Sequence, residues 1–154
     1  MHKMQKITSY MKKKWTNMNE KIARYGVQYA SSKLGLSEIE VMFKSQSFFK
    51  FTDVNAMLIK EQYLIIFNKD WIAIAHEFEI LKCSFHETRH AYQVACIDFP
   101  ELIEHDPKEV DGWKKEYSMY TRPGSPNYSK QKLEIDAFRY SNYLLKIFLK
   151  EFMV

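Results

Sequence analysis

Residues 76–97, HEFEILKCSFHETRHAYQVACI, form a run without Gly or Pro in which apolar Phe78, Leu81, Phe85, Tyr92 and Ala95 and the methyl of Thr88 recur at mixed spacings of three and four. That pattern specifies an amphipathic core helix, which Asp98, Phe99 and Pro100 close because the residue before a proline is pushed out of the helical region. Within it stand His86, Glu87, Thr88, Arg89 and His90, an H-E-x-x-H sequence. Four residues make one turn plus about 40°, so both imidazoles leave the same helix face with rings roughly 6 Å apart. Each can give one nitrogen to a single tetrahedral Zn2+ ion. Glu87 points toward the water of such an ion, whose pKa the metal lowers to roughly 7, and can shuttle its proton to a leaving amine.

Two histidines are half a site, and a third ligand has to come from elsewhere in the chain. Glu134 opens a second Gly- and Pro-free run, LEIDAFRYSNYLLKIFLKEF, with Leu133, Ala137, Tyr140, Leu144 and Phe148 on one side. A helix packed against the first would bring its carboxylate to the two imidazoles and leave the fourth position to water. Asp136 competes, but two positions along a helix it points about 200° away, so it is expected to orient a histidine or neutralise a charge. Arg89, facing away from the ion, is expected to pair with Asp136 or Glu116. His105, in a polar stretch, is a weaker ligand candidate. Cys83 shares the face of His86 and His90 but lies about 10 Å along the axis from His90, too far to join one ion.

His86-Glu87-x-x-His90, followed some forty residues on by Glu134-x-x-Ala137 at a helix start, resembles the gluzincin group of metallopeptidases. Within it the chain is most similar to the small ImmA/IrrE-like and SprT-like proteases. The words FHETRHAYQ and YSKQKLEIDAF also resemble small metallopeptidase-like proteins of Gram-positive bacteria and their mobile elements. The resemblance spans roughly residues 20 to 145. It implies a zincin-like fold and a zinc-dependent peptidase with His86, His90 and Glu134 as ligands to one ion and Glu87 as general base. Two features depart from the ImmA/IrrE pattern: Arg89 stands where a Gly usually precedes the second His, and the usual Leu-Leu-Met-Pro after the Glu helix is absent.

The remainder of the chain reads as an α+β domain. A helix over 9–34 carries Ile22, Tyr25, Tyr29 and Leu34 inward and stops at Gly35. Segments 39–43, 56–60 and 62–68 read as short strands, the last two a tight hairpin around Glu61, giving a three-stranded antiparallel sheet. The zincin resemblance implies that an extended substrate pairs with an edge strand, and 63–67 is expected nearest the cleft. Residues 100–131 read as a long irregular loop, the kind that is usually functional. A zinc peptidase needs a donor for the tetrahedral oxyanion. The loop offers Trp113, Tyr117, Tyr120, Arg122 and Tyr128, among which Tyr128, six residues before Glu134, is the candidate, with Tyr140 as a second.

At 154 residues, 46% of them hydrophobic and 16% aromatic, the chain can bury one core, so residues 1–154 are read as a single domain with a basic extension at 1–14. No run approaches the length of a membrane span and the N-terminus lacks an apolar export segment, so a cytoplasmic protein with no membrane partner is expected. Cys83 and Cys96 are then free thiols. A net charge of +4, concentrated at Lys3, Lys6 and Lys12–Lys14, makes nucleic acid a minor expectation. The expected partner is a peptide or protein substrate, the expected state a monomer or weak homodimer, and 143–154 is expected to pack on its own core. Two rival functions are open: a catalytically inactive zincin-like module that binds a partner protein, and a nucleic-acid-binding helical protein led by the lysine-rich start.

Overall fold

The computed structural model describes residues 2–120 and 125–152, with side chains from Asn17 onward. The lysines of the basic extension and Arg122 lie outside the described side chains. The chain runs α1 (His2–Leu34), β1 (Glu40–Lys44), β2 (Ala56–Ile59), β3 (Leu64–Asn68), α2 (Lys69–Ile72), α3 (Glu77–Asp98), α4 (Pro107–Tyr117) and α5 (Lys132–Phe152), with 3-10 turns at Gln46–Phe48 and Tyr128–Lys130. The α+β class is as expected from the sequence. No described helix is long and apolar enough to cross a membrane.

α1 ends where Gly35 was expected to end it, at a left-handed φ of 69°. The Gly35 amide donates to Ser32 O and Leu36 to Ser31 O, which satisfies the last turn's carbonyls. In mid-helix Gly26 has another purpose: a Cβ there would sit 2.7 Å from Ser84 Cβ on α3. The absent side chain lets the two helices touch, and Ser84 Oγ bridges them by donating to Ala23 O at 3.2 Å. α3, which carries the H-E-x-x-H sequence, is thereby fixed against α1. Its start is capped by His76, whose Nδ1 accepts from Phe78 N at 3.1 Å.

The sheet corrects the sequence reading. Its order is β1-β3-β2, with β1 parallel to β3 and β2 antiparallel to it, so the sheet is mixed rather than antiparallel. All five residues of β3 are buried. A strand apolar on both faces has to lie inside a sheet, so β3 inserts between its two predecessors instead of following them in a meander. Ile65 and Phe67 face the helices, while Leu64 and Ile66 pack with Phe49 on the opposite face. Consequently 63–67 is not an edge beside the cleft. That edge is β2. The hairpin is also looser than expected, turning through Lys60–Tyr63 with Tyr63 at φ 49°, and the Tyr63 hydroxyl ties the turn to Asp98 at the end of α3, 2.7 Å away.

Residues 100–131 are not one long loop, for α4 forms within them. Asp106 caps it by accepting from Lys108 N, and Pro107 takes the first helical position, where a missing N–H costs nothing. Val110, Trp113 and Tyr117 then pack one face against Tyr92, Cys96 and Leu133. Glu116 near its end accepts from the backbone amides of Lys132 and Leu133, both at 2.9 Å. It thus caps α5 from a distance, one residue before Glu134. The far end of α5 packs on its own core as expected, with Leu144 and Phe148 against Phe85 and Tyr29.

Candidate metal centre

α3 and α5 pack side by side, and the three predicted ligand residues meet at their contact. His86, His90 and Glu134 are all buried and offer one ligand atom each within 4.8 Å of one another, so the group could hold a metal ion. Glu134 is fully buried. Its Oε2 lies 3.0 Å from His86 Nε2 and its Oε1 2.9 Å from His90 Nε2, and the two Nε2 atoms are 3.1 Å apart. The ring centroids lie 4.7 Å apart, closer than helix geometry alone suggested, because both rings tip toward the carboxylate. Two imidazole nitrogens on a tetrahedral ion at 2.0–2.1 Å stand about 3.3 Å apart, which is nearly the spacing found.

Behind His90 lies a chain of polar groups that fixes its chemical form. Gln93 Nε2 donates to Leu133 O at 3.0 Å and to Asp136 Oδ2 at 2.8 Å, so its amide oxygen must face the histidine. That oxygen is 2.8 Å from His90 Nδ1, which therefore carries a proton and donates it. Nε2 is then the nitrogen that could coordinate an ion. Asp136 is held in turn by Arg89, whose Nε and Nη2 reach its two oxygens at 2.7 and 3.0 Å. Arg89 takes Asp136 of the two partners expected, since Glu116 is occupied capping α5. The guanidinium lies 4.6 Å from the ring centroids of both Tyr92 and Tyr140. Arg89 is thus the anchor of this network.

His86 has no such support. Among the described buried side-chain polar atoms, its Nδ1 alone lacks a hydrogen-bond partner. The ring packs instead against Phe138, with centroids 4.4 Å apart.

The charges follow from these contacts. Burial alone would raise the Glu134 pKa, but the hydrogen bonds from His86 and His90 hold it well below the usual carboxylate range. Burial opposes a charge on His90, yet the hydrogen bond and charge of Glu134, with Glu87 adding to them, raise its pKa to about 9. With Nδ1 donating to Gln93 and Nε2 to Glu134, the metal-free His90 is an imidazolium. Glu87 is half-buried beside the cluster, and desolvation pushes its pKa up against the lowering influence of the two histidines.

Tyr120 was one of several loop aromatics and now emerges as a direct partner: its hydroxyl donates to Glu134 Oε1 at 2.7 Å. The Tyr128 ring lies edge-on to that of Tyr120, with centroids 6.4 Å apart, and its phenol feels the Glu134 charge. Burial and the nearby carboxylate push both phenols well up, so both are kept as donors. Tyr140, the other expected oxyanion donor, has its ring against the Arg89 guanidinium. His105 joins Tyr92 and Glu109, and Cys83 lines a cavity beside His86 outside the ligand group. Sequence reasoning missed Gln93; its one signal is a place three residues after His90 on the same helix face.

Two cavities flank the cluster. One of about 430 Å³ reaches His86, and one of about 520 Å³ reaches His90. Glu87, Tyr128, Val54 and Ala56 border both. Compared with protein-family models, curated proteins and solved structures, the chain matches none.

Proposed function

We propose that this chain is a zinc-dependent metallopeptidase with a minimal zincin-like fold, in which His86, His90 and Glu134 hold one Zn2+ and Glu87 is the general base. The observation that carries this reading is the convergence of the two Nε2 atoms and the Glu134 carboxylate, at spacings suited to a tetrahedral ion. A bound zinc ion supplies Lewis acidity toward a carbonyl and lowers the pKa of water to about 7. The chain's own residues do the rest. Glu87, whose raised pKa brings it nearer neutrality, takes a proton and returns it to the leaving amine. Tyr128 borders both cavities and is the donor best placed for an oxyanion, while Tyr120 holds the Glu134 carboxylate in position. β2 is an edge strand, and its free backbone groups lie beside the cluster where an extended peptide can pair with them.

A second reading draws on the closure of the cluster itself. Glu134 bridging two histidines is electrostatically complete without an ion, as it would be in an inactive module that keeps the fold to bind a partner. Elemental analysis of protein purified without added metal or affinity histidines separates the two. The proposal expects about one zinc per wild-type chain and none in His86→Ala or Glu134→Ala. Glu87→Gln should keep the zinc and lose peptide cleavage by about a hundredfold or more. Equal zinc in wild type and ligand variants ends the metal reading, and undiminished cleavage by Glu87→Gln ends the role of Glu87.

A further inference from the structure

The two cavities are built differently, and one of them specifies a side chain. The cavity beside His90 runs between the edge of β2 and α3; Phe49, Met57, Leu58, Tyr117 and Tyr120 make most of its wall, joined by the charged Lys50, Lys60 and Glu61. The cavity beside His86 has a mixed wall, with Trp71 and Phe138 alongside Asn55, Glu79, Lys82 and Ser141. They adjoin at Glu87 and Tyr128, so a strand laid along β2 enters one from each side of the cluster. Successive side chains of a strand alternate in direction, and on either side of one peptide bond they need different surroundings. We propose, resting on the peptidase reading, that the substrate is a polypeptide with an aromatic or long aliphatic side chain on the His90 side of the scissile bond.

The size of the apolar cavity supports this occupant. Its 520 Å³ is within the range of cavities that bury whole organic ligands, so the largest side chains fit. Nor is it a remote groove: His90 and Glu87 form part of its wall, so whatever fills it is held against the reacting centre.

The test uses zinc-loaded Glu87→Gln protein, which can bind without cleaving, titrated by fluorescence anisotropy. The probes are a labelled, amidated Ala-Ala-Ser-Phe-Ala-Ala-Ala peptide and its twin with Ala for Phe. The Phe peptide should bind at least about tenfold more tightly, the effect of burying an aromatic ring in place of a methyl. Leu58→Trp, which fills the cavity from β2, should erase that preference; because Leu58 packs beside the core, its melting temperature is checked alongside. Leu58→Val, which does not fill the cavity, should retain the preference. Equal affinity for the two peptides, or binding of neither, overturns the proposal. Cleavage is then measured with wild-type protein. Discrimination without cleavage upholds the cavity and removes the peptidase reading, whereas cleavage with no preference for Phe does the reverse.

Discussion

His90 and His86 lie one helical turn apart and face the same carboxylate, yet their surroundings would meet a metal ion in different ways. His90 is backed by Gln93, Asp136 and Arg89, a network in which each donor has its acceptor and Nδ1 is compelled to carry the proton. His86 is backed by the Phe138 ring. Its Nε2 lies 3.0 Å from Glu134 and its Nδ1 has no partner. Coordination of an ion through Nε2 would put the ring's proton on Nδ1, where a buried N–H would stand unpaired at a cost of about 1–3 kcal/mol. One half of the centre is organised in advance by hydrogen bonds, and the other is held by packing alone.

The strongest way to break the contrast is to remove what both halves share. Glu134→Ala leaves the two rings without their common anion, and stoichiometric zinc should be lost entirely by elemental analysis; full zinc retention would mean the two rings suffice. Next in size is the network. Arg89→Leu strips the largely buried Asp136 of its cation, and chemical denaturation should show a loss of about 3 kcal/mol. Less than about 0.5 kcal/mol would show that the pair behaves like an exposed surface bridge.

Gln93→Leu and Phe138→Ala test the asymmetry directly. The first frees the His90 tautomer and should weaken zinc binding by about 10–100-fold, the usual effect of losing a ligand's supporting hydrogen bond. The second admits water to His86 Nδ1 and should strengthen binding by only a few-fold, since it relieves an unpaired N–H while losing packing. Equal losses from the two substitutions would contradict the asymmetry.

A subtler difference is carried by protons. His90 has its pKa raised to about 9, so in the metal-free fold it is charged at pH 7 and must shed a proton to bind an ion. Calorimetry in buffers of different ionisation heat should therefore find nearly one proton released per zinc at pH 7, with apparent affinity rising toward pH 9. The metal-free fold has the opposite trend. The stabilisation that His90 gains from Glu134 is fully present below its unfolded pKa of about 6.5 and is lost as pH rises through about 9. Proton-free zinc binding at pH 7 would rule out the imidazolium.

The legibility of these two halves from sequence differed as much as their chemistry. His86, Glu87 and His90 declare themselves because four-residue spacing on an uninterrupted amphipathic run has one geometric outcome. Glu134 was inferable from the start of a second such run, and the Arg89–Asp136 pair from charge and position. Gln93 was not, because its part depends on where Leu133 O and Asp136 arrive from another helix. Tyr120 likewise meets Glu134 by a chain path that no periodicity encodes, and the Tyr140 ring meets the Arg89 cation across two helices. α4 was readable after all, in Asp106-Pro107 followed by Val110, Trp113 and Tyr117, but the surrounding prolines and glycines concealed it.

By itself, the sequence determined the three long helices, the three strand segments and the candidate ligand residues, since spacing, capping and apolar period act over a few residues and need no distant partner. Only the tertiary structure decided that β3 lies between β1 and β2, that β2 is the open edge, and that one histidine is braced and the other not. Those outcomes come from competition among segments for burial and for hydrogen-bond partners, and each depends on groups far apart in the chain meeting in space.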